Sequence, residues 1–179
     1  MRTEVVLLSP VAASMQAAAL VGKSWDMKVH FEKLQVIDVA VPAPGHGEVL
    51  VKVASSGINP VDHELIESPL ALAWTYPHVV GFDFAGTIAG VGPGVSRVKV
   101  GDQVYGQLGT LPEAAAGGGA WAQYLTAAER VVALKPAALN LTEAGGLPMV
   151  ALTGYEAFSF AQAQHWAGNK TVVVLGGSG

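Results

Sequence analysis

The sequence predicts a mainly β fold, a partly open β-barrel followed by an α/β tail. Three observations lead there: apolar residues alternate at a period of two between Gly and Pro turns, the strand candidates are unevenly spaced, and helical spacing takes over after residue 140.

The strand signal is clearest in "VPAPGHGEVLVKVASSG". Pro42, Pro44, Gly45 and Gly47 form a turn, and Val49, Val51 and Val53 then alternate with Leu50, Lys52 and Ala54, which describes a strand with two different faces. Further strands are expected over residues 34–40, 80–91, 102–107, 121–127 and 131–134. Their spacing is too irregular for a sandwich and suits a partly open barrel. Residues 1–14 precede the patterned sequence, which begins at Met15. With one Arg, Glu4 and a short apolar run, they read as an extension without regular structure rather than a signal peptide. "EAAAGGGA" at 113–120 is a small low-complexity loop. In "NLTEAGGLPMVALTGYEAFSFAQAQ" the spacing predicts a helix over 148–163, with Pro148 in the first turn, where its missing N–H costs nothing. The final "TVVVL" returns to strand, so the organisation is an extension over 1–14, a β domain over 15–140 and the start of an α/β domain over 141–179.

Composition excludes several functions. The chain is 51% hydrophobic and 13% charged, enough for a sizeable core. A net charge of −4 without a basic stripe argues against nucleic acid as a partner. Cysteine is absent, which removes disulfides, thiolate nucleophiles and every Cys-based zinc site. No apolar run reaches the roughly 18 to 20 residues of a membrane-spanning helix. His30, His46, His63, His78 and His165 show no paired ligand spacing and read as scattered surface or cleft residues. Taken alone, Asn59-Pro60 is a turn initiator. Tyr76, Tyr105, Tyr124 and Trp121 read as core or cleft wall. The ending "TVVVLGGSG" resembles a buried strand entering a phosphate-binding turn.

"SGINPVD", "PHVVGFDFAGTIAGVGPGVSRVKVGDQVYG", "GGGAWAQYLTAAERVVALKP", "LPMVALTGYEAF" and "VVVLGGSG", in this order, resemble the medium-chain dehydrogenase/reductase superfamily over roughly residues 15 to 179. The chain is most similar to its zinc-free quinone oxidoreductase branch, the zeta-crystallin-like and enoyl reductase-like proteins, which also holds alkenal reductases and a chloroplast-envelope quinone oxidoreductase homologue. The resemblance implies a GroES-like barrel on the substrate side of a cleft, then a Rossmann domain for the nicotinamide cofactor. Of the second, the sequence carries the leading helix and one strand, and is expected to be cut inside its cofactor fingerprint.

At the positions where zinc alcohol dehydrogenases of this superfamily carry a Cys, a His and a second Cys, this chain has Asn59, Phe82 and Met149, none a suitable zinc ligand. The implied chemistry is metal-free hydride transfer from NADPH, with NADH left open, to a hydrophobic quinone or an α,β-unsaturated carbonyl. The resemblance places Asn59 beside the nicotinamide as a catalytic and cofactor contact, with Pro60 fixing the backbone and Asp62 shaping the loop. It places Thr153 at the nicotinamide end, where the alternative is a helix-interior Thr bonding its own preceding carbonyl. Tyr155 is the candidate proton donor, against aromatic packing. Gly176, Gly177 and Gly179 would meet the pyrophosphate. A homodimer of the complete protein and a cytoplasmic location are expected, with organellar import by the extension left open. Two other readings remain beside the enzyme: a short GroES-like binding or regulatory module, and a member with a structural or membrane-surface role.

Overall fold

The computed structural model describes residues 6–7, 11–23, 31–109, 118–161 and 165–174. Its strands are β1 (Val6–Leu7), β2 (Ser14–Leu20), β3 (Leu34–Ala40), β4 (Glu48–Ser55), β5 (His78–Val79), β6 (Asp83–Val91), β7 (Gln103–Gln107), β8 (Tyr124–Ala128) and β9 (Val132–Leu134). The α-helices are α1 (Pro60–Ile66), α2 (Leu141–Gly145) and α3 (Pro148–Phe160). One sheet runs β8-β4-β6-β7-β9 with β1 also on β6, and a three-stranded sheet runs β3-β2-β5. All the pairings are antiparallel. The mainly β fold is therefore as expected, although the sheets do not close into a full barrel.

The larger sheet packs its core around β6. Phe84, Ile88, Val49, Val51 and Val104 are fully buried there, with Leu125 and Val132 almost so. Of the two faces that the alternation distinguishes, Val49 and Val51 lie on the buried one and Lys52 and Ala54 are exposed on the other, but Leu50 is buried as well. The register between β4 and β6 slips at Leu50/Val51 and again at Val53/Ser55. Such bulges bend a sheet and increase its twist.

Two of the expected strands are shorter than the apolar runs that suggested them. The run 80–91 divides because Gly81 has φ +94°, outside the β region, and a Cβ there would stand 2.3 Å from Trp121 Cδ1. The run 121–127 becomes a strand only at Tyr124, because the preceding residues bond across the gap between the sheets. Ala18 N–H donates to Trp121 O at 2.8 Å, Gln123 N–H to Gln16 O at 3.0 Å, and Trp121 N–H to Val80 O at 2.9 Å. This stitching brings the smaller sheet against β8 and partly closes the barrel.

Five further elements differ from expectation. β2 is a full strand where the sequence offered only a beginning of pattern, and Val6–Leu7 pairs with Gly90–Val91, so the N-terminal extension is not wholly irregular. Helices α1 and α2 were not expected. α2 begins with a capping box in which Asn140 Oδ1 accepts from Glu143 N–H and Glu143 Oε2 accepts from Asn140 N–H, both at 2.9 Å. The long helix was expected over 148–163 and ends at Phe160, with residues 162–164 outside the described residues.

By contact density the chain divides into Met1–Met149 and Val150–Gly179. In the second unit, residues 171–174 of the expected terminal strand are exposed and unpaired with any described strand. A strand is defined by its neighbours' hydrogen bonds, so an apolar β-branched run without a neighbour is not one.

At Gly86 β6 lies close against β4: a Cβ there would meet Lys52 O at 2.2 Å and Val51 Cγ1 at 2.8 Å. Gly86→Ala must push the central ladder apart and is expected to destabilise the chain by roughly 1–3 kcal/mol. A urea midpoint equal to that of the parent would contradict this packing.

Candidate functional site

The site is built where the loop after β4 enters α1. Asn59 is extended (φ −116°, ψ 154°), and Pro60 occupies the first helical position. Asp62, three residues after the cap, turns back so that its Oδ2 accepts the Asn59 backbone N–H at 2.7 Å. The pair read from sequence as a turn initiator is thus a helix start. Its signal was an Asn, then Pro, then an acid three positions after the cap.

The Asn59 side chain points inward, and its Nδ2 donates to Asp83 Oδ2 at 3.0 Å. Asp83 opens β6 and is 0% exposed. Its carboxylate also accepts the Met149 backbone N–H, at 3.0 Å through Oδ1 and 3.2 Å through Oδ2. Met149 is the second residue of α3, so this donor is one of the first-turn N–H groups that a helix cannot satisfy internally, and the helix N-terminus favours a negative charge beside it. Burial raises the Asp83 pKa, while the Asn59 amide and the Met149 N–H pull it partly back. Asp62 is raised too, first by burial, against the Asn59 N–H, with the Asp83 charge adding to the rise.

Neighbouring groups hold the loop against this carboxylate. Ser56 Oγ donates to Asp83 O at 2.6 Å, Ser55 Oγ to Leu141 O at 2.5 Å, and Trp121 Nε1 to Gly57 O at 3.3 Å. A Cβ on Gly57 would lie 3.0 Å from Gly145 O and 3.2 Å from Asp83 Oδ2. Beside the loop lies an open concavity of about 440 Å³, lined among others by Val53, Ser55, Ser56, Ile58 and Trp121. A larger pocket of about 560 Å³, with Tyr124 and Arg130 in its wall, includes none of Asn59, Asp62 and Asp83. The smaller space is not lined by these three either, but it adjoins them through Ser56 and Ile58, their neighbours along the loop.

Two of the three positions compared with zinc ligands converge. Asn59 and Met149 meet at Asp83, and Phe82 precedes Asp83 in the core cluster against which Met149 packs. An amide and a backbone N–H hold the carboxylate there. Among the described residues no three His, Asp or Glu side chains gather as a metal site. Thr153 and Tyr155 lie on α3 in the second unit, and Tyr155 is 71% exposed. Two residues apart on a helix, they project to nearly opposite sides, so from this helix they do not address one ligand atom together. Gly176, Gly177 and Gly179 lie outside the described residues. Asp83 was not singled out from sequence. Its signal was an acid between two Phe residues in "GFDFAG", a strand so apolar that a carboxylate there needs dedicated donors.

Residues 45–137 match the family described as the alcohol dehydrogenase GroES-like domain. The chain is 37% identical over 153 residues to the 2-methylene-furan-3-one reductase of Solanum lycopersicum, covering 79% of this chain and 36% of that protein. It is 33% identical over 150 residues to the chloroplastic NADPH-dependent alkenal/one oxidoreductase of Arabidopsis thaliana, again covering 79% of this chain and 36% of the relative. Among solved structures, the quinone oxidoreductase from Coxiella burnetii superposes with a TM-score of 0.68 at 26% identity, over 83% of this chain and 45% of that one. The chain therefore spans little more than a third of the length of these curated relatives.

His78 is buried behind α1, and burial lowers its pKa to about 4, against a smaller upward pull from the Thr75 backbone. The unfolded chain then binds a proton near pH 6.5 that the folded chain refuses until about pH 4. Stability should fall as pH drops through that window, by roughly 2–4 kcal/mol for a shift of this size. Asp62 and Asp83 act in the opposite sense, since protonation relieves the burial of their charge, and so they offset part of the loss at the acid end. Urea midpoints across this range should show a shallower decline in His78→Gln, and an unchanged decline would clear His78 of the effect.

Proposed function

The chain belongs to the medium-chain dehydrogenase/reductase superfamily, in its quinone oxidoreductase-like branch, and from that premise we propose that it forms the substrate-side part of an NADPH-dependent reductase of quinones or α,β-unsaturated carbonyls. The observation that carries this reading is the Asn59 amide, clamped by Asp83 beside the concavity that Ser56 and Ile58 line. The reductase and oxidoreductase names of the relatives support it over a non-catalytic module. The Arabidopsis relative is named chloroplastic, which keeps import through residues 1–14 as a reading beside a cytoplasmic one.

The residues present fit the nicotinamide end of the cofactor. Asn59 carries a second side-chain N–H beyond the one that Asp83 holds, suited to one carbonyl oxygen, that of an acceptor lying against the nicotinamide. By the family resemblance Thr153 is assigned to the nicotinamide end, and the terminal glycines to the pyrophosphate. Bound NADPH supplies a hydride to an acceptor that is already electrophilic.

The work of the chain is positioning and charge stabilisation. As the acceptor is reduced, its carbonyl oxygen gains negative charge, and the Asn59 N–H donates to that oxygen. Because Asp83 and Met149 N–H fix the amide beforehand, little reorganisation is needed when the charge develops. Val53, Ile58 and Trp121 give the open concavity an apolar wall against which a hydrophobic acceptor can lie. A proton from solvent completes the reduction; Tyr155 is the side chain that the family resemblance offers as an alternative donor. Positioning of this kind needs no Lewis acid, because the acceptor carbon is activated by its own conjugation.

Asn59→Ala in the complete protein is expected to lower kcat/KM for a quinone or enone by about 10- to 1000-fold, read from the loss of NADPH absorbance. An unchanged value would make Asn59 a helix cap only, and no NADPH oxidation with any quinone or enone would sink the proposed activity.

Zinc should be substoichiometric in elemental analysis of the purified protein, and chelators should leave activity intact. One zinc per chain that resists chelation would contradict the metal-free reading.

A further inference from the structure

We infer that one ordered water occupies the small cavity behind α1 and bridges the Asp62 carboxylate to the His78 imidazole. The cavity measures about 20 Å³ and is lined by Asp62, Leu65, Ile66, Trp74, His78 and Phe82 among others. That is room for a single water, which needs on the order of 10–15 Å³, and for nothing larger. Among the described residues, two buried side-chain atoms lack a hydrogen-bond partner, Asp62 Oδ1 and His78 Nδ1, and both residues face this cavity.

Neither side chain is able to find a partner by turning elsewhere. The other Asp62 oxygen is committed to the Asn59 N–H at 2.7 Å, which anchors the carboxylate. The His78 ring lies flat on Trp74, with centroids 4.0 Å apart and planes at 15°. The residues are 3% and 2% exposed, so bulk solvent does not satisfy them. A buried polar atom without a partner is costly, and native proteins commonly relieve it with an internal water. Water suits this pair because it donates to the carboxylate and either donates to or accepts from the ring nitrogen, whichever tautomer is present. The result is a continuous polar chain, Asn59 N–H to Asp62 to water to His78, that ties β5 to the cap of α1. This inference does not depend on the proposed oxidoreductase activity.

A crystal structure of the chain at about 1.8 Å or better tests it directly. The expected result is one density peak at roughly 2.6–3.2 Å from both Asp62 Oδ1 and His78 Nδ1. An empty cavity, or the two side chains bonded directly to each other, would overturn it. In solution, His78→Phe keeps a ring to stack on Trp74 while removing the nitrogen, and Asp62→Ala removes the carboxylate. The double variant should lose less in Tm than the two single losses added, by at least about 2 °C, because either change alone already strips the water of a partner. Strictly additive losses would also overturn the bridge. Should a variant fail to fold, the peak in the parent crystal decides the matter.

Discussion

A buried carboxylate must have donors, and the site is organised around how Asp83 obtains them. One comes from the side chain of a helix cap, Asn59, and one from the backbone of the first turn of α3, at Met149. Neither is a cation. A charge held by neutral donors in a dry place is costly to disturb, because removing one donor leaves the ion uncompensated. The strand end, the loop into α1 and the start of α3 are thereby fixed to one another. Where the metal-dependent members are expected to gather ligands, this chain gathers hydrogen bonds.

Close backbone approach is the second constraint. Gly57 allows the loop to lie against Asp83 and Gly145, Gly86 allows β4 to reach β6, and Gly81 leaves space for the Trp121 ring. Trp121 then serves two purposes, filling the space over Gly81 with its ring and holding Gly57 O with its indole N–H. The chain thus places an amide on a rigid support next to an open apolar surface, which suits the proposed positioning role. Similarity to reductases of enones and quinones agrees with that reading, although the chain spans only part of their length.

The strands were legible where a run faced one environment. Residues 34–40 form β3 with the bounds their alternation suggested, and β4, β7 and β9 lie within a residue or two of the expected ranges. Runs that changed partner midway were misread. Residues 80–91 and 121–127 look uniform as sequence, yet Gly81 and Trp121 turn the backbone toward a second sheet that no local pattern reveals. Helices α1 and α2 are short, and what starts them is a cap rather than a periodic face, so a reading based on periodicity passed over both.

The sequence by itself determined the class of the fold, the superfamily and the absence of thiolate chemistry, because these follow from residue types, their order and their period, and it nominated Asn59 through the family resemblance. Only the tertiary structure decided what Asn59 is bonded to. The partner, Asp83, lies 24 residues away at the start of a strand, and its second donor lies 66 residues further on at the start of a helix. Hydrogen bonds across such separations depend on the antiparallel register of β4 on β6 and on where α3 begins. These are set by bulges, glycine contacts and packing between elements, and none of them has a signature within a single stretch of chain.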